Sequence, residues 1–208
     1  MANYETLVIS VMDGDEAQVK EQTKALLNAG CKPLDIINQG LIAAMDIVGP
    51  RFRDGEMYVP EVLMAAKSMA TGIEILKPFM SDTDMPSKGK IVLGTVKGDL
   101  HDIGKNLVGM MMESSGFQVI NLGIDISPEE FVAAIKKHTP KIIAMSALLT
   151  TTMMQMKDTI DLIKEEGLKV KAIIGGAPVT QEFANRIGAD GYSPDAASAV
   201  ELCAKLIS

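Results

Sequence analysis

The spacing of hydrophobic residues changes near residue 89. Before that point apolar side chains recur three or four positions apart, which is the spacing of amphipathic helices. Helices are predicted near Glu5–Val11, over Glu16–Ala29, from Pro33 to Gly49-Pro50, and from Pro60 to about Leu76, with a loop at Arg51–Met57. Four helices of this kind predict a small bundle.

Beyond residue 89, short β-branched runs alternate with helical stretches, which is typical of a parallel sheet covered by helices. Strands are predicted at Lys90–Thr95, Phe117–Leu122, Lys141–Ala147, Lys169–Ile174 and Gly191-Tyr192. The segment Ser81–Gly89 has the small, polar composition of a linker. The sequence therefore predicts an α/β protein. A four-helix bundle cap over residues 1–88 precedes a flavodoxin-like (Rossmann-type) five-stranded parallel sheet, of order 2-1-3-4-5, over residues 89–208.

Composition narrows the classes of partner and the compartment. The formal net charge of the 208 residues is -7, which disfavours binding to nucleic acid. No apolar run approaches the roughly 18 residues of a membrane span, and no signal peptide is recognisable at the start. Two cysteines, Cys31 and Cys203, have no paired spacing and suit a reducing compartment. We therefore expect a cytoplasmic protein with no nucleic-acid or membrane partner.

In parallel sheets of this order, ligands bind beyond the carboxyl ends of the strands, at the switch point between strands 1 and 3. The loop after strand 1 contains His101, one of two histidines in the chain, between Asp99 and Asp102. The loop after strand 3 covers residues 146–152 and is rich in hydroxyl groups. One of the two histidines of the chain therefore lies where a bound ligand is expected.

Several kinds of site are compatible with a loop of this composition. A phosphate-binding P-loop is disfavoured because Gly98 and Gly104 are one residue too far apart and Asn106 replaces the hydroxyl residue. The dinucleotide motif G-x-G-x-x-G is absent. A metal ligand at His101, held by Asp99, is possible, and a lone histidine suits a metal already coordinated by a macrocycle. A solvated loop histidine beside acids fits the spacing equally well.

The motifs resemble those of cobalamin-binding domains. Asp99-x-His101-x-x-Gly104 resembles the motif D-x-H-x-x-G, Ser146-Ala147-Leu148-Leu149-Thr150 resembles the S-x-L segment with its threonine, and Gly175-Gly176 matches the glycine pair. The bundle is similar to the helical cap of the cobalamin module of methionine synthase. In length and layout the chain resembles the stand-alone corrinoid proteins of methylamine, methanol, betaine and methoxy-aromatic methyltransferase systems.

This resemblance implies a cobalamin or related corrinoid bound base-off, with His101 as the axial ligand of cobalt. It assigns catalytic roles to Asp99, which would hydrogen-bond His101, and to Thr152, which stands where methionine synthase has a serine. Further cofactor contacts are implied in the sheet domain at Asp102, Gly104, Ser146, Leu148, Thr150, Gly175, Gly176 and Tyr192. Cover for the other face of the corrin is implied at Phe52, Tyr58, Val59 and Val62.

The implied function is that of a methyl carrier in one-carbon metabolism, in methanogenesis or acetogenesis, which does not turn over alone. A substrate-specific methyltransferase would methylate Co(I), and a second would pass the methyl group of methyl-Co(III) to a thiol or a folate. A reductive activator would rescue Co(II). The alternatives are a cobalamin-dependent sensor, the cobalamin subunit of an adenosylcobalamin mutase, and a flavodoxin-like domain for another ligand.

Overall fold

The computed structural model describes residues 3–80 and 87–207. These residues belong to two compact units. The first extends to Ser87 and includes Ser114–Gly116, and the second holds Lys88–Glu113 and the chain from Phe117 onward. Most of the linker predicted at Ser81–Gly89 lies outside the described residues, at positions 81–86. Within the described ranges, no helix has the length and apolar character that crossing a membrane demands.

The first unit is made of helices. Its α-helices are α1 (Glu5–Met12), α2 (Glu16–Asn28), α3 (Pro33–Ile36), α4 (Ala43–Arg53) and α5 (Val59–Leu76). A π-helix over Ile37–Ile42 joins α3 directly to α4, and a short 3₁₀-helix over Lys77–Phe79 follows α5. Because α3, the π-helix and α4 form one continuous stretch, the described residues of this unit form four main helical segments, as predicted. Buried apolar side chains such as Leu7, Val19, Leu41 and Met69 fill its core.

One helix boundary in this unit was predicted wrongly. The helix expected to end at Gly49-Pro50 continues through both residues to Arg53. A proline has no N–H, so the helix lacks the hydrogen bond that residue 50 would otherwise donate to the carbonyl oxygen four residues earlier. The chain leaves the helix at Asp54 and Gly55, where Gly55 has a φ of +78°. The loop predicted from Arg51 to Met57 is therefore shorter than expected.

The second unit is a parallel sheet with helices on both faces. Its strands are β1 (Lys90–Val96), β2 (Gln118–Ile126), β3 (Ile142–Ser146), β4 (Lys171–Gly175) and β5 (Gly191–Ser193). Its helices are α6 (Ile103–Ser114), α7 (Pro128–His138), α8 (Met154–Glu165), α9 (Gln181–Ile187) and α10 (Ala196–Ile207). All pairs are parallel and the order is β2-β1-β3-β4-β5, as predicted. Strand β2 continues past Leu122, its predicted end.

Alternate residues of the central strands enter two hydrophobic cores, because side chains of a strand point to opposite faces in turn. Val92, Ile143 and Ile174 contribute to the core on the side of α7, α8 and α9. Their neighbours Ile91, Ile142 and Ile173 contribute to the core on the side of α6 and α10. The central strands are thus buried on both faces. At their carboxyl ends, Thr95 of β1 lies opposite Ser146 of β3.

Candidate functional site

The loop after β1 buries a carboxylate and exposes an imidazole. Asp99 N–H donates to the carbonyl oxygen of Val96 over 3.1 Å, and Gly98 has a φ of +80°, as the third residue of a type II turn requires. Asp99 is fully buried, whereas the His101 side chain keeps 52% of its surface exposed. Asp99 Oδ1 lies 3.1 Å from the backbone nitrogen of His101 and 2.7 Å from its Nδ1. The predicted contact between these two side chains is therefore present.

The second oxygen of Asp99 is bound by the loop after β3. Asp99 Oδ2 accepts hydrogen bonds from the backbone N–H groups of Leu148, over 2.7 Å, and Leu149, over 3.2 Å. It also accepts one from the hydroxyl of Thr152 over 2.8 Å. One buried carboxylate thus joins the loops on either side of the switch point, and it brings Asp99, His101 and Thr152 together.

These contacts decide the charge of Asp99. Burial alone would raise the pKa of the Asp99 carboxyl. Hydrogen bonds from the N–H of Leu148, the imidazole of His101 and the hydroxyl of Thr152 outweigh burial and hold this pKa well below its usual range. An ionised carboxylate only accepts hydrogen bonds, so Nδ1 of His101 carries the hydrogen. In the neutral ring Nε2 then holds the free lone pair that a metal requires.

A polar network at the start of α6 was not predicted. The ammonium group of Lys105, a residue only 3% exposed, donates to Asn106 Oδ1 over 2.5 Å and to Asn121 Oδ1 over 2.9 Å. Asn106 Nδ2 donates in turn to Asp102 Oδ2 over 2.9 Å. Burial lowers the pKa of Lys105, and the charge of Asp102 opposes that shift. Asp102, predicted as a cofactor contact, is thus held from β2 through this network.

The other predicted residues of the two loops lie at the same edge of the sheet. Ser146 is half-buried at the end of β3, Thr150 is exposed, and Leu148 is 43% exposed. Gly104 is the second residue of α6. A Cβ added to Gly104 would have no protein atom within 4 Å.

The glycine pair after β4 is packed against the chain itself. A Cβ at Gly176, whose φ is +123°, would lie 1.9 Å from the carbonyl oxygen of Ala147. A Cβ at Gly175 would lie 2.9 Å from the carbonyl oxygen of Ser193. The backbones of neighbouring strand ends therefore require both glycines, whatever else approaches them. Tyr192, in β5, packs against the core formed with α7, α8 and α9.

The predicted bundle residues flank one loop of the helical unit. Phe52 lies near the end of α4 and is half-buried. Tyr58 immediately precedes α5 and is 70% exposed, and its N–H donates to Glu61 Oε2 over 2.7 Å. Val59 is 38% exposed and Val62 is fully buried. Two of the four predicted side chains thus present apolar or aromatic surface.

Comparison with known proteins extends over nearly the whole chain. Residues 89–201 match a protein family described as B12 binding domain, and residues 4–77 match a second family with the same description. A corrinoid protein of Desulfitobacterium hafniense is 42% identical over 212 residues, covering 100% of this chain and 98% of the relative. The chain belongs to the B12-binding corrinoid proteins.

Further relatives of this family agree with that assignment. Dimethylamine corrinoid protein 2 of Methanosarcina acetivorans is 41% identical over 213 residues, covering 100% of this chain and 99% of the relative. A crystal structure of the methanol:cobalamin methyltransferase complex of Methanosarcina barkeri matches with a TM-score of 0.89 and 34% identity, over 98% of this chain and 79% of that chain. A cobalamin-binding protein of Desulfitobacterium hafniense matches with a TM-score of 0.84 and 33% identity, over the full length of both chains.

The residues of this corrinoid protein fit a corrinoid cofactor. His101 combines a half-exposed ring with a buried carboxylate on Nδ1, an arrangement that would orient Nε2 if it bound a metal. In the described ranges, no cluster of three or more His, Cys, Asp or Glu could hold a metal ion. Apolar side chains beside His101, Leu100 and Ile103, are 67% and 85% exposed. A flat, largely apolar macrocycle would cover such surface.

Proposed function

We propose that this chain is a corrinoid methyl carrier that holds cobalt through His101 in the base-off/His-on state. The observation that carries the proposal is the pair formed by buried Asp99 and half-exposed His101 at the switch point between β1 and β3. When bound, the cofactor supplies a cobalt centre that takes up and releases a methyl group. The protein contributes the ligand, its orientation and the exclusion of water.

Asp99 and Thr152 would control the basicity of the ligand. Asp99 accepts from His101 Nδ1 through one oxygen and from the Thr152 hydroxyl through the other. A proton shared along this line would make His101 a weaker or a stronger donor to the metal. We assign to cofactor contacts the predicted residues of the loops after β1 and β3 and of the start of α6, which are Asp102, Gly104, Ser146, Leu148 and Thr150. We assign Gly175, Gly176 and Tyr192, near the ends of β4 and β5, to further contacts of the same cofactor.

We propose that the bundle, over residues 1–88, shields the cofactor held by residues 89–208. Tyr58 and Val59 present the exposed aromatic and apolar surface that such cover requires. We assign half-buried Phe52, near the end of α4, to the same cover. Val62 is buried and would support Val59 from within α5. Apolar cover keeps water from a reactive metal centre.

The relatives support a methyltransferase as a partner of this chain. One matched structure is that of a complex with a methanol:cobalamin methyltransferase, and other relatives are named as dimethylamine or trimethylamine corrinoid proteins. We therefore propose a substrate-specific methyltransferase as first partner, a second methyltransferase acting on a thiol or folate, and a reductive activator for Co(II). A cytoplasmic location suits the two unpaired cysteines.

The test is anaerobic reconstitution with hydroxocobalamin, followed by the visible spectrum. His138 lies at the end of α7 and provides a matched control. The wild type and His138→Ala should give a bound, His-ligated corrinoid, and His101→Ala should lose the His-ligated signature. A His101→Ala spectrum identical to the wild type would refute the ligand, and a wild type that binds no corrinoid would refute the function.

Transfer itself is tested with the reconstituted protein and candidate partner methyltransferases. Methylamines and methanol are supplied as donors, and methylation of the bound cofactor is followed by its spectrum. One donor and partner pair should methylate wild type faster than His101→Ala. Failure of every pair, with corrinoid bound, would favour a sensor over a carrier.

A further inference from the structure

The carboxyl end of β2 carries an irregularity beside the candidate site. Gly94 of β1 pairs with Gly123 of β2, but Val96 pairs with Ile126, so the register shifts between these pairs. Strand β2 therefore has one more residue than β1 over this interval, which defines a β-bulge. Asp125 lies within it and has a φ of +57°. Aspartate tolerates this left-handed conformation better than most residues, although glycine adopts it more easily.

Asp125 binds the turn that presents Asp99. Its Oδ1 accepts the backbone N–H of Gly98 over 2.7 Å. Its own N–H donates to the carbonyl oxygen of Asp99 over 3.1 Å. The side chain and the backbone of one residue thus hold both ends of the Gly98–Asp99 dipeptide. Glycine at position 125 would keep the second contact and lose the first.

The same dipeptide determines where the Asp99 carboxylate lies. Asp99 has its backbone fixed by Asp125 on the β2 side, and its carboxylate accepts from His101 Nδ1 over 2.7 Å. The backbone of His101 is held by a second contact, because its carbonyl oxygen accepts a hydrogen bond from the Thr95 hydroxyl over 2.9 Å. A shift of the dipeptide would therefore lengthen the contact between Asp99 and His101 before it disturbed the sheet.

We infer that Asp125 is a positioning residue for the Asp99–His101 pair, acting through the Gly98 amide. This role deepens the proposed function, on which its importance for the metal ligand rests. The orientation of the imidazole itself does not depend on a bound cofactor, so the inference is testable on the cofactor-free protein.

Two substitutions separate the side chain from the backbone. Asp125→Gly keeps the left-handed conformation and removes the acceptor for Gly98 N–H. Asp125→Asn keeps both the conformational tolerance and an acceptor oxygen. Thr139, with a φ of +47° at the end of α7, is a matched control, because Thr139→Gly makes the same kind of change away from the site. Urea unfolding of each variant shows whether the fold as a whole is weakened.

The first measurement is nitrogen-15 NMR of the His101 imidazole in the cofactor-free protein, at a pH where the ring is neutral. The wild type should show the Nδ1–H tautomer. Asp125→Gly should shift the population towards Nε2–H, while Asp125→Asn and Thr139→Gly stay with the wild type. An unchanged Asp125→Gly overturns the inference. An equal shift of the tautomer population in Thr139→Gly would also overturn it. So would a shift in Asp125→Asn as large as that in Asp125→Gly.

The second measurement is reconstitution with hydroxocobalamin. At equal amounts of bound corrinoid, Asp125→Gly should show a severalfold smaller His-ligated fraction than the wild type, and Asp125→Asn should restore it. If the wild type binds corrinoid without His ligation, the proposed ligand fails while the tautomer result still decides the role of Asp125. If Asp125→Gly shifts the tautomer but keeps the wild-type His-ligated fraction, Asp125 does not position the ligand and the inference fails.

Discussion

Thr152 and Asp99 meet inside the sheet unit, with the hydroxyl oxygen of Thr152 2.8 Å from Asp99 Oδ2. Both residues are buried, at 7% and 0% exposure. The same hydroxyl lies 3.0 Å from the carbonyl oxygen of Leu149, so its single hydrogen has a charged and a neutral acceptor. The charged acceptor gives the stronger bond, and the loop after β3 is thereby tied to the loop that carries His101.

Replacing Thr152 tests this tie. Thr152→Val keeps the shape and removes the donor, so the free energy of unfolding should fall by about 1.5–3 kcal/mol, as for other hydrogen bonds to charged groups. Thr152→Ser keeps the donor and should lose less. Urea unfolding at neutral pH measures both. A Thr152→Val protein as stable as the wild type would mean that the hydroxyl contributes nothing to the buried carboxylate.

The lowered pKa of Asp99 predicts a dependence of stability on acid. Its pKa is lower in the folded protein than in the unfolded chain, so its contribution is present above the unfolded value of about 3.9 and is lost as pH falls through the folded value. The carbon-13 shift of the Asp99 carboxyl should still report an ionised group at about pH 3, when most exposed aspartates are protonated. A titration midpoint at or above the usual value would contradict this.

Unfolding gives a second view of the same carboxylate. Asp99→Asn should be less stable than the wild type at neutral pH, because an amide cannot accept from every donor around Asp99. The difference between the two free energies of unfolding should shrink as the pH falls below about 4. A difference that stays constant with pH would show that Asp99 does not titrate abnormally.

Two glycines should respond differently to the same substitution. Gly104→Ala adds a methyl group where no protein atom lies within 4 Å, and alanine favours the helix, so stability should be unchanged or rise by up to about 1 kcal/mol. Its affinity for corrinoid should fall if the cofactor approaches α6.

Gly176→Ala should lower the free energy of unfolding by about 2 kcal/mol or more, because its Cβ would meet the Ala147 carbonyl oxygen at a strained φ. Thermal unfolding and hydroxocobalamin titration distinguish the two. Unaltered affinity in Gly104→Ala would remove this glycine from the binding site.

The buried ammonium of Lys105 supports a further prediction. Lys105→Met fills a similar volume but removes the charged donor to Asn106 Oδ1 and Asn121 Oδ1, which keep only the neutral donors Asn121 Nδ2 and Gly123 N–H, so the free energy of unfolding should fall by about 1–3 kcal/mol. The exposed Lys137 of α7 is the control, and Lys137→Met should stay within about 0.5 kcal/mol of the wild type. Equal free energies of unfolding for the two variants, measured in urea, would show that the hydrogen bonds of Lys105 do not stabilise the fold.

The sheet and the contact between Asp99 and His101 could be predicted because the sequence patterns that indicate them are local. Buried strands such as Ile142–Ser146 have continuous apolar runs, and the order of a five-stranded parallel sheet has few alternatives. Asp99 and His101 are two residues apart in one loop, so a contact between them needs no knowledge of distant structure. The assignment of Thr152 came from the motif resemblance, since nothing local indicates a partner far away in sequence.

The remaining features depend on contacts that are distant in sequence. Gly123 and Asp125 have the composition of a turn, yet β2 continues through them because Gly123 and Ile126, on either side of the bulge, pair with β1. Lys105 has the sequence character of an exposed helix residue, yet the amide of Asn121, brought by β2, binds its buried ammonium group. In these two cases tertiary contacts override the local preference. Pro50 is an ordinary stop signal that the helix passes, and nothing in the local sequence indicates that it would.

The π-helix over Ile37–Ile42 gives this stretch of the bundle a rotational phase that its length does not reveal. A wider turn accommodates an additional residue without moving the axis, so it resembles a one-residue insertion absorbed in place. Deleting one residue there would restore an ordinary α-helix and leave the residues after it in their present orientation, whereas a deletion in a regular α-helix rotates everything after it by about 100°. Met45 and Val48 would stay buried in the bundle core. This segment can therefore lose one codon without turning the helix that follows it.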